Sequence, residues 1–444
     1  MRVAVIGAGI IGVTTAYELS SDGHEVTVFE RRGSVGAETS FANAGLVAPG
    51  YVTPWAAPGM PAKVLRHLFS RHAPVRLGGW PDAALLRWVW RWWRACNPAS
   101  YELNRGRMFR LARYSQDRLR GLTEALQLDY EQAKGCLVLL RTERDLALAE
   151  PGLRLLENLQ VPFALADAAA CYRIEPGLNA ETPLHAAIHL PEDEVGNCRQ
   201  FAHLLKAEAQ RLGAQFEFHR RVLAIEPGHS VTLRHQATAS HAASTLVDSS
   251  ASTSPASTES DSDPVDERFD AVVVCAALDS VSLLRPLGVE LPLAPVHGYS
   301  ITAPLRQREI ELRLGPRAAL MDERYKVAIS RLGQRLRVAG SAELGGSLQQ
   351  QSDAAFATLY RVLHDWFPGA AQVGRAQRWK GARPMLPDGP PVLGPSGAPG
   401  VWLNLGHGSS GWALSCGSAR LLADRIAGRA PAVDTEGLGI ERLR

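Results

Sequence analysis

Three glycines near the N-terminus have the spacing of a phosphate-binding turn. Gly7, Gly9 and Gly12 follow an apolar, strand-like run and open a helical stretch. In such a turn the first glycine permits a tight bend, the second lets a pyrophosphate approach backbone N–H groups, and the third lets helix and strand pack closely. Glu30 ends the next strand-like run, where a carboxylate can accept hydrogen bonds from ribose hydroxyls. The sequence therefore predicts a dinucleotide site.

A second glycine-rich turn lies near the C-terminus. The stretch WLNLGHGSSGWALSCGSA at 402–419 has the pattern of a strand, a turn and a long helix. Backbone donors at the start of that helix would face an anionic or electron-rich group, as in the first turn. His407 lies in this turn and could act as a general base or only position the backbone.

The elements between the two turns change in type along the chain. Residues 31–62 form a long loop of small residues, and ordered loops of this length often carry function. Helical patterning dominates 62–127, short strands and helices alternate over 130–190, and a strand-rich region covers 293–340. A continuous apolar run at 269–277 predicts a strand buried on both faces of a parallel sheet.

The segment 235–267 differs in composition from the rest of the chain. Serine, threonine, alanine and acidic residues dominate it, and it contains no aromatic residue. Such a segment cannot bury enough apolar surface to offset the entropy of ordering it. We therefore predict a disordered surface insertion between two strands; a phosphorylated or protein-binding linker is the alternative.

The overall composition is that of an ordinary globular protein. With 444 residues, two large domains are expected. A net charge of +3 gives no argument for nucleic acid as a partner. The six cysteines are scattered without a C-x-x-C pair, which predicts reduced thiols and no metal site. No run of about 18 apolar residues predicts a membrane span, so we expect a cytoplasmic protein.

Several motifs, taken in order, resemble the FAD-dependent D-amino-acid oxidase superfamily. They are GAGIIG with Glu30, ETSFANAG at 38–45, FDAVVVCAA at 269–277, GARPMLPDG at 381–389 and LNLGHGSSGWALSCGSA at 403–419. Within that superfamily, PGYVTPWAAPGMP, NRGRMFRLARYS, HLPEDEVGNCRQF and MDERYKVAISR are similar to the bacterial D-amino-acid dehydrogenase small-subunit subgroup. The similarity covers nearly the whole chain except the serine-rich insertion.

The resemblance implies an α/β fold with two domains. A Rossmann-type FAD-binding domain is expected from 1–50, 191–290 and 380–444. An α+β substrate-binding domain, built on a large mixed sheet, is expected from 51–190 and 291–379.

The resemblance also implies which residues hold FAD. Those expected at the ADP half are Gly7, Gly9, Gly12 and Glu30, and Val5, Ile10, Ile11 and Arg31 are further expected cofactor-binding residues. Those expected along the pyrophosphate and the flavin edge are Thr39, Ser40, Asn43, Ala44 and Gly45, and Val222 is expected to contact the adenine. Those expected near the flavin pyrimidine ring are Gly406, His407, Gly408 and Ser409, and for His407 the resemblance favours backbone positioning over the role of a general base. There the helix N-terminus can stabilise negative charge on the reduced flavin.

Substrate binding is expected to centre on an arginine. An amino acid presents a planar carboxylate, which a guanidinium can hold through two parallel charge-assisted hydrogen bonds. From its position in the G-x-R-P motif, the resemblance assigns this role to Arg383. Tyr325 and Tyr299 are candidates to bond the carboxylate or shape the pocket, and Tyr51 is a candidate lid residue. Each tyrosine could equally be a packed structural residue.

The implied reaction is oxidative deamination. The amino acid loses a proton from its amine and a hydride from Cα to the flavin, and the imino acid hydrolyses to a 2-oxo acid and ammonium. D-Alanine is the expected type of substrate, and a quinone or another non-oxygen acceptor takes the electrons. Two alternatives stay open. One is an oxidase of glycine, sarcosine or a proline-type amine, and the other is a non-catalytic flavin-binding electron-transfer subunit.

A tryptophan-rich helix is a candidate for peripheral contact with the inner face of the cytoplasmic membrane. In LLRWVWRWWR at 85–94, Arg87, Arg91 and Arg94 fall on one helical face. Indoles suit the membrane interface and arginines suit anionic lipids. The alternative is packing in a core, which is usual for a helix that is apolar over most of its circumference.

Two positions depart from the superfamily pattern. Ala277 stands where a glycine commonly approaches the cofactor, and Leu386 stands where a threonine is usual after the G-x-R-P motif. The first predicts an altered backbone approach to the cofactor, and both leave the preferred substrate open.

Overall fold

The computed structural model describes residues 1–67, 73–238, 263–306 and 315–443. The strands in these ranges are β1 (Arg2–Ile6), β2 (Glu25–Glu30), β3 (Leu46–Val47), β4 (Val75–Leu77), β5 (Ala133–Leu140), β6 (Ala164–Asp167), β7 (Ala186–Val195), β8 (Gln215–Phe218), β9 (Arg220–Glu226), β10 (Val231–Ala237), β11 (Val265–Phe269), β12 (Ala271–Val274), β13 (Ala294–Pro304), β14 (Ala319–Asp322), β15 (Val327–Leu332), β16 (Arg335–Leu344), β17 (Gln377–Met385), β18 (Val392–Pro395) and β19 (Val401–Leu405). The α-helices are α1 (Ile10–Ser21), α2 (Met60–His67), α3 (Ala83–Ala95), α4 (Pro98–Leu126), α5 (Glu143–Asn158), α6 (Ala168–Ile174), α7 (Cys198–Arg211), α8 (Ser280–Leu284), α9 (Asp353–Trp366) and α10 (Gly411–Ile426).

A six-stranded sheet contains the predicted nucleotide-binding unit. Its order is β18-β19-β12-β1-β2-β8, with all neighbours parallel except β18 and β19. The inner strands are apolar and buried because α1, α7 and α10 pack on one face, and α8 with a small three-stranded sheet packs on the other. The order β1–α1–β2 confirms the predicted strand, turn, helix and strand. The buried strand predicted within 269–277 is confirmed as β12.

A ten-stranded mixed sheet forms the second layer. Its order is β17-β13-β16-β15-β14-β5-β7-β3, with β4 added beside β16 and β6 beside β7. Helix α9 buries Phe356 and Trp366 against one face of this sheet. The other face meets the loop at 38–45, since Ser300 donates to the Ala42 carbonyl at 2.9 Å. The loop that follows the nucleotide unit therefore lies between the two large sheets.

The ends of the predicted insertion are ordered. Strand β10 runs to Ala237 and pairs antiparallel with β11, which starts at Val265. The prediction of disorder from 235 to 267 is therefore wrong at both ends, because His235 pairs with Val265 in that hairpin. The predicted position between two strands is confirmed. The remainder of the prediction, at 239–262, lies outside the described residues.

The predicted helical stretch 62–127 is interrupted. Strand β4 pairs parallel with β16 inside it, and the long helix α4 begins only at Pro98. Leu119 and Leu122 of α4 share an apolar cluster with α1, α7 and α10. This helix therefore packs on the nucleotide side, although it belongs to the range predicted for the substrate-binding domain.

The domain limits themselves stay a prediction. The limit at 380 falls inside β17, and the limit at 191 falls inside β7, and both strands belong to the ten-stranded sheet. Among the helices in the described ranges, none combines the length and apolarity that crossing a bilayer requires.

Candidate active site

A cleft of about 1030 Å³, partly open to solvent, lies at the carboxyl ends of β1, β2, β12 and β19. This edge of a parallel sheet is where such folds bind dinucleotides. The predicted cofactor residues that line the cleft are Gly7, Gly9, Ile10, Ile11, Glu30, Arg31, Thr39, Ser40, Val222, Gly406, His407 and Gly408. The predicted residues outside its lining are Val5, Gly12, Asn43, Ala44, Gly45 and Ser409.

The glycine turn has no space for side chains where β1 meets α1. A Cβ on Gly12 would lie 1.8 Å from the Gly7 carbonyl oxygen, and one on Gly7 would lie 2.8 Å from that of Cys275. Gly7 also has a φ of +102°, which disfavours any other residue. Ser40 Oγ accepts a hydrogen bond from the Ile10 N–H at 3.0 Å, at the first turn of α1. The turn therefore leaves a bare backbone edge and a helix N-terminus facing the cleft, which fits a pyrophosphate.

Glu30 is fixed at the end of β2. Its carboxylate accepts hydrogen bonds from the Ala8 N–H at 2.7 Å and from the Arg32 N–H at 2.8 Å. Burial nevertheless raises the pKa of Glu30 above its ordinary value, and the two backbone donors only partly oppose this. A carboxylate that lines the cleft at the end of β2 can accept hydrogen bonds from the ribose of a dinucleotide.

The loop at 38–45 is held from both layers. Thr39 donates to the Ala382 carbonyl at 2.6 Å, and Ser330 donates to the Ala44 carbonyl at 2.7 Å. Trp412 of α10 donates from its indole nitrogen to the Gly45 carbonyl at 3.1 Å. The loop therefore joins the cleft to the ten-stranded sheet. Asn43, Ala44 and Gly45 lie on the sheet side, which is why they do not line the cleft.

His407 is buried in the second glycine turn. Its Nε2 lies 2.9 Å from Ser418 Oγ, whose own hydrogen is donated to the Leu414 carbonyl. The ring therefore donates from Nε2 to Ser418. Burial lowers the pKa of His407 to about 3, so the imidazole is neutral near pH 7. A group with that pKa is a weak base, which favours the positioning role.

Five further polar residues line the cleft without having been predicted: Glu38, Arg220, Arg221, Asp279 and Asn404. Arg31 pairs with Glu38 at 2.8 Å and also with Asp279, so it links the segments after β2 and β12. Sequence patterns missed these residues because they are brought together only by the sheet. In the described ranges, no cluster of three or more histidine, cysteine and acidic side chains is suited to a metal ion.

Arg383 lies on β17 beside the cleft, one residue before Pro384, which lines it. The strand register pairs Val296 with Arg383 and Gly298 with Gly381. Because side chains alternate along a strand, Arg383 shares a face with Ser300, which contacts the loop at 38–45. The Arg383 side chain crosses over Gly298. A Cβ at position 298 would lie 2.1 Å from Arg383 Nη2.

The Arg383 guanidinium has few partners of its own. Nη1 donates to the Ser341 carbonyl at 3.1 Å, and no carboxylate in the described part of the chain forms an ion pair with it. Burial lowers the pKa of Arg383 to about 10. A desolvated cation with donors left over is suited to a carboxylate ligand.

Two of the three candidate tyrosines lie on the α9 face of the ten-stranded sheet, opposite to Arg383. Tyr299 lies on the opposite face of the sheet, where its hydroxyl donates to Glu343 Oε2 at 2.5 Å and its ring packs on Phe356. Tyr325 is also on the α9 side, with the Arg141 guanidinium 5.1 Å from its ring centre. Tyr51 donates to Glu323 Oε2 at 2.9 Å in the long loop, and its lid role stays a prediction.

Of the two departures from the superfamily pattern, Ala277 lies at the cleft and Leu386 lies behind its second glycine turn. Ala277 lines it and has a φ of +48°, a left-handed conformation that glycine adopts more easily. Leu386 is buried against the second glycine turn, and its Cδ1 would lie 2.5 Å from a Cβ on Gly406. Ala277 therefore keeps the backbone shape of a glycine at that position.

Comparison with known proteins agrees with this geometry. The family model of FAD-dependent oxidoreductases matches residues 2–425. The chain is 41% identical over 444 residues to a D-amino acid dehydrogenase of Rhizorhabdus wittichii, with all of both chains covered. It is 43% identical to a D-amino acid dehydrogenase of Cereibacter sphaeroides, covering all of this chain and 95% of the relative.

Solved structures share the fold at low identity. Glycine oxidase from Geobacillus kaustophilus superimposes with a TM-score of 0.71 and 19% identity, over 99% of this chain and 98% of the other. L-Proline dehydrogenase from P. horikoshii gives a TM-score of 0.68 and 15% identity, over 100% and 97%. The nucleotide cleft, the family match over residues 2–425 and the relatives of about 40% identity lead to one conclusion: the chain belongs to the family of FAD-dependent oxidoreductases.

Proposed function

We propose that this protein catalyses the FAD-dependent oxidative deamination of D-amino acids of the D-alanine type, yielding 2-oxo acids and ammonium. The observation that carries the proposal is the desolvated Arg383 guanidinium, which lacks a carboxylate partner in the described ranges and lies beside the cleft. The relatives named D-amino acid dehydrogenase support the substrate class.

The residues that line the cleft fit FAD. We propose that Gly7, Gly9 and the start of α1 hold the pyrophosphate, that Glu30 binds the ribose, and that Val222 contacts the adenine. The turn at 406–409 and the loop at 38–45 would then flank the flavin. When bound, FAD supplies the electron acceptor for the hydride that leaves the substrate Cα.

The chain's own groups orient the substrate. Arg383 holds the carboxylate with its two terminal nitrogens, which fixes the direction of Cα relative to the cleft. The loop at 38–45 ties the Arg383 strand to the cleft, since Thr39 donates to the carbonyl of the residue before Arg383. The neutral ring of His407 bonds to Ser418 of α10 and so positions the turn at 406–409, of which Gly406, His407 and Gly408 line the cleft. The substrate amine loses its proton to solvent in this scheme.

The test is anaerobic reduction of the purified, FAD-loaded protein by a panel of D- and L-amino acids. Loss of the flavin absorbance with D-alanine and related D-amino acids, and not with their L-enantiomers, is the expected result. Reduction by glycine, sarcosine or proline alone would replace the proposal with an amine oxidase of the same superfamily. If the protein binds FAD but no amino acid reduces the flavin, the remaining interpretation is a non-catalytic electron-transfer subunit.

The electron acceptor is proposed to be a quinone or another non-oxygen acceptor. Reoxidation of the reduced protein by a soluble quinone analogue, compared with reoxidation by dissolved oxygen, measures this directly. The quinone analogue is expected to be faster by at least tenfold. Equal rates with release of peroxide would contradict the proposal.

We also propose peripheral contact of α3 with anionic membranes. Leu86, Trp90 and Trp93 follow one another at helical spacing and are 55%, 53% and 64% exposed, whereas Trp88 and Trp92 are buried. Arg87, Arg91 and Arg94 are also exposed, and the Arg94 guanidinium lies 4.9 Å from the Trp90 ring centre. Exposed indoles flanked by cations match the chemistry of an anionic lipid interface.

Sedimentation with vesicles that contain anionic phospholipid tests this contact. The parent protein is expected to pellet with the vesicles at low salt, and the double variant Trp90→Ser, Trp93→Ser is expected to stay in the supernatant. A control variant, Leu148→Ser, removes a leucine that is 61% exposed on α5 and should pellet like the parent. A parent protein that does not pellet at low salt would contradict the proposal.

A further inference from the structure

Ser341 lies next to Arg383 at an irregular point of the ten-stranded sheet. The pairing of β13 with β16 shifts between His297 and Tyr299, so Ser341 and Ala342 together oppose Gly298. The Arg383 side chain crosses this same point, and its Nη1 donates to the Ser341 carbonyl at 3.1 Å. The bulge therefore brings one serine of β16 against the guanidinium.

The side chain of Ser341 has an unused hydroxyl. The residue is only 6% exposed, and its Oγ is buried without a hydrogen-bond partner among the described residues. Its φ is +59°, a conformation that a residue with a Cβ adopts only under constraint. A buried hydroxyl without a partner and a strained backbone both reduce stability, and here both occur beside a desolvated cation.

We infer that the Ser341 hydroxyl is a second hydrogen-bond donor to the carboxylate that Arg383 binds. The inference rests on the proposed function and adds a residue to its substrate site. A carboxylate has two oxygens and about four acceptor positions, so it can accept from both groups at once. A bound carboxylate gives the Ser341 hydroxyl a hydrogen-bond acceptor and gives the Arg383 guanidinium an ionic partner at the same time. Ser341 then selects for ligands that end in a planar anion.

Two variants separate the hydroxyl from the backbone strain. Ser341→Ala removes the hydroxyl and keeps a Cβ at positive φ, whereas Ser341→Gly removes the hydroxyl and also relieves the strain. Ser20→Ala is the matched control, because Ser20 also has a buried hydroxyl without a partner in the described ranges. It lies ten residues along α1 from the cleft residue Ile10, about 15 Å at about 1.5 Å per residue.

The measurement is the dissociation constant of acetate and of D-lactate for the FAD-loaded protein, followed by the change in flavin absorbance without turnover. Both Ser341 variants are expected to bind these carboxylates about tenfold to a hundredfold more weakly than the parent, the loss typical of a hydrogen bond to a charged group. Binding of D-alaninamide, which lacks the carboxylate, is expected to change by less than about twofold. Ser20→Ala is expected to match the parent.

Thermal unfolding distinguishes a ligand-binding role of Ser341 from a structural one, because loss of a structural residue would lower the unfolding temperature. Ser341→Ala is expected to unfold at the same temperature as the parent or higher, because it removes an unsatisfied buried group. Unchanged carboxylate affinity in both Ser341 variants, or no saturable carboxylate binding by the parent, would overturn the inference. A parent protein that binds carboxylates but is not reduced by any D-amino acid would refute the proposed function, while the same titrations still decide the role of Ser341.

Discussion

Two partly buried arginines, Arg420 and Arg383, differ in what surrounds them. Between α1 and α10, Arg420 is paired with Glu18 at 2.9 Å, with Asp22 at 2.5 Å and with Asp424 at 3.0 Å. Burial opposes the charge on Arg420, but these carboxylates raise its pKa above the ordinary value. On the ten-stranded sheet, Arg383 has a carbonyl partner and no carboxylate in the described ranges, and burial lowers its pKa to about 10.

This difference separates structural charges from functional ones. A buried cation surrounded by carboxylates makes its contribution in the folded protein itself, and removing it leaves anions without partners. A buried cation without a carboxylate costs stability in the empty protein and becomes paired only when a ligand binds. The arginines that join α1 and α10 therefore maintain the nucleotide-binding half, and we propose that Arg383 binds the substrate.

Replacing Arg383 tests this separation most strongly. We expect Arg383→Leu to lower kcat/KM for D-alanine about a thousandfold, roughly 4 kcal/mol, because the substrate carboxylate loses its charged partner. The FAD content should stay at that of the parent, and the free energy of unfolding should not fall. Steady-state kinetics, flavin absorbance and urea unfolding give the three values.

Arg383→Lys serves as the control for charge. Lysine keeps a cation but not the planar pair of donors, so activity should recover only in part. Kinetics close to those of the parent in Arg383→Leu would exclude Arg383 from substrate binding. A loss of several kcal/mol in stability would instead assign it to the structural group.

Replacing Arg420 should have the opposite profile. We expect Arg420→Met to lower the free energy of unfolding by about 3 kcal/mol, the lower end of the range for a broken buried ion pair. The loss is moderated because Arg118 still pairs with Glu18 at 2.7 Å and Arg429 still pairs with Asp22. Urea unfolding measures the loss, and KM for D-alanine in the remaining folded protein should not change. A raised KM with parent-like stability would contradict the separation.

The sequence was informative where function depends on local spacing. The glycine turn, Glu30 and the strand order β1–α1–β2 follow from residues within 30 positions, and the structure has each of these elements where expected. The resemblance supplied the further positions, including Arg383. Arg383 lies on the sheet face that meets the loop at 38–45, and its role in substrate binding stays a prediction.

Other features depend on contacts between distant segments. The spacing of residues in β13 places Tyr299 on the face opposite Ser300 but does not indicate that α9 covers that face. The pairing of Arg31 with both Glu38 and Asp279 spans 248 residues, and the unused hydroxyl of Ser341 exists only because a bulge buries it. The amphipathic pattern of α4 does not identify the partner on which it packs, so its contacts with α1, α7 and α10 could not be predicted.

The smallest expected effect concerns Asp22 and its dependence on pH. Burial alone would raise the pKa of Asp22, but hydrogen bonds from Arg420 and Arg429 outweigh it and hold the pKa below the ordinary value. A carboxylate whose pKa is lower in the folded protein contributes stability above its unfolded pKa of about 3.9, and loses that contribution as the pH falls through the folded value. We expect Asp22→Asn to cost about 1 kcal/mol at pH 7.

Urea unfolding of the parent and of Asp22→Asn at several pH values between 7 and 3 follows this contribution. The difference between the two proteins should be constant down to about pH 5 and should shrink below about pH 4, since protonated Asp22 and asparagine are both neutral. Glu150→Gln, which removes an exposed partner of Arg154, should differ from the parent by a few tenths of a kcal/mol or less, because exposed ion pairs contribute little. If the difference in free energy of unfolding between the parent and Asp22→Asn persists unchanged at pH 3, Asp22 acts through packing and not through its charge. The ion pairs that stabilise Arg420 would then be those with Glu18 and Asp424.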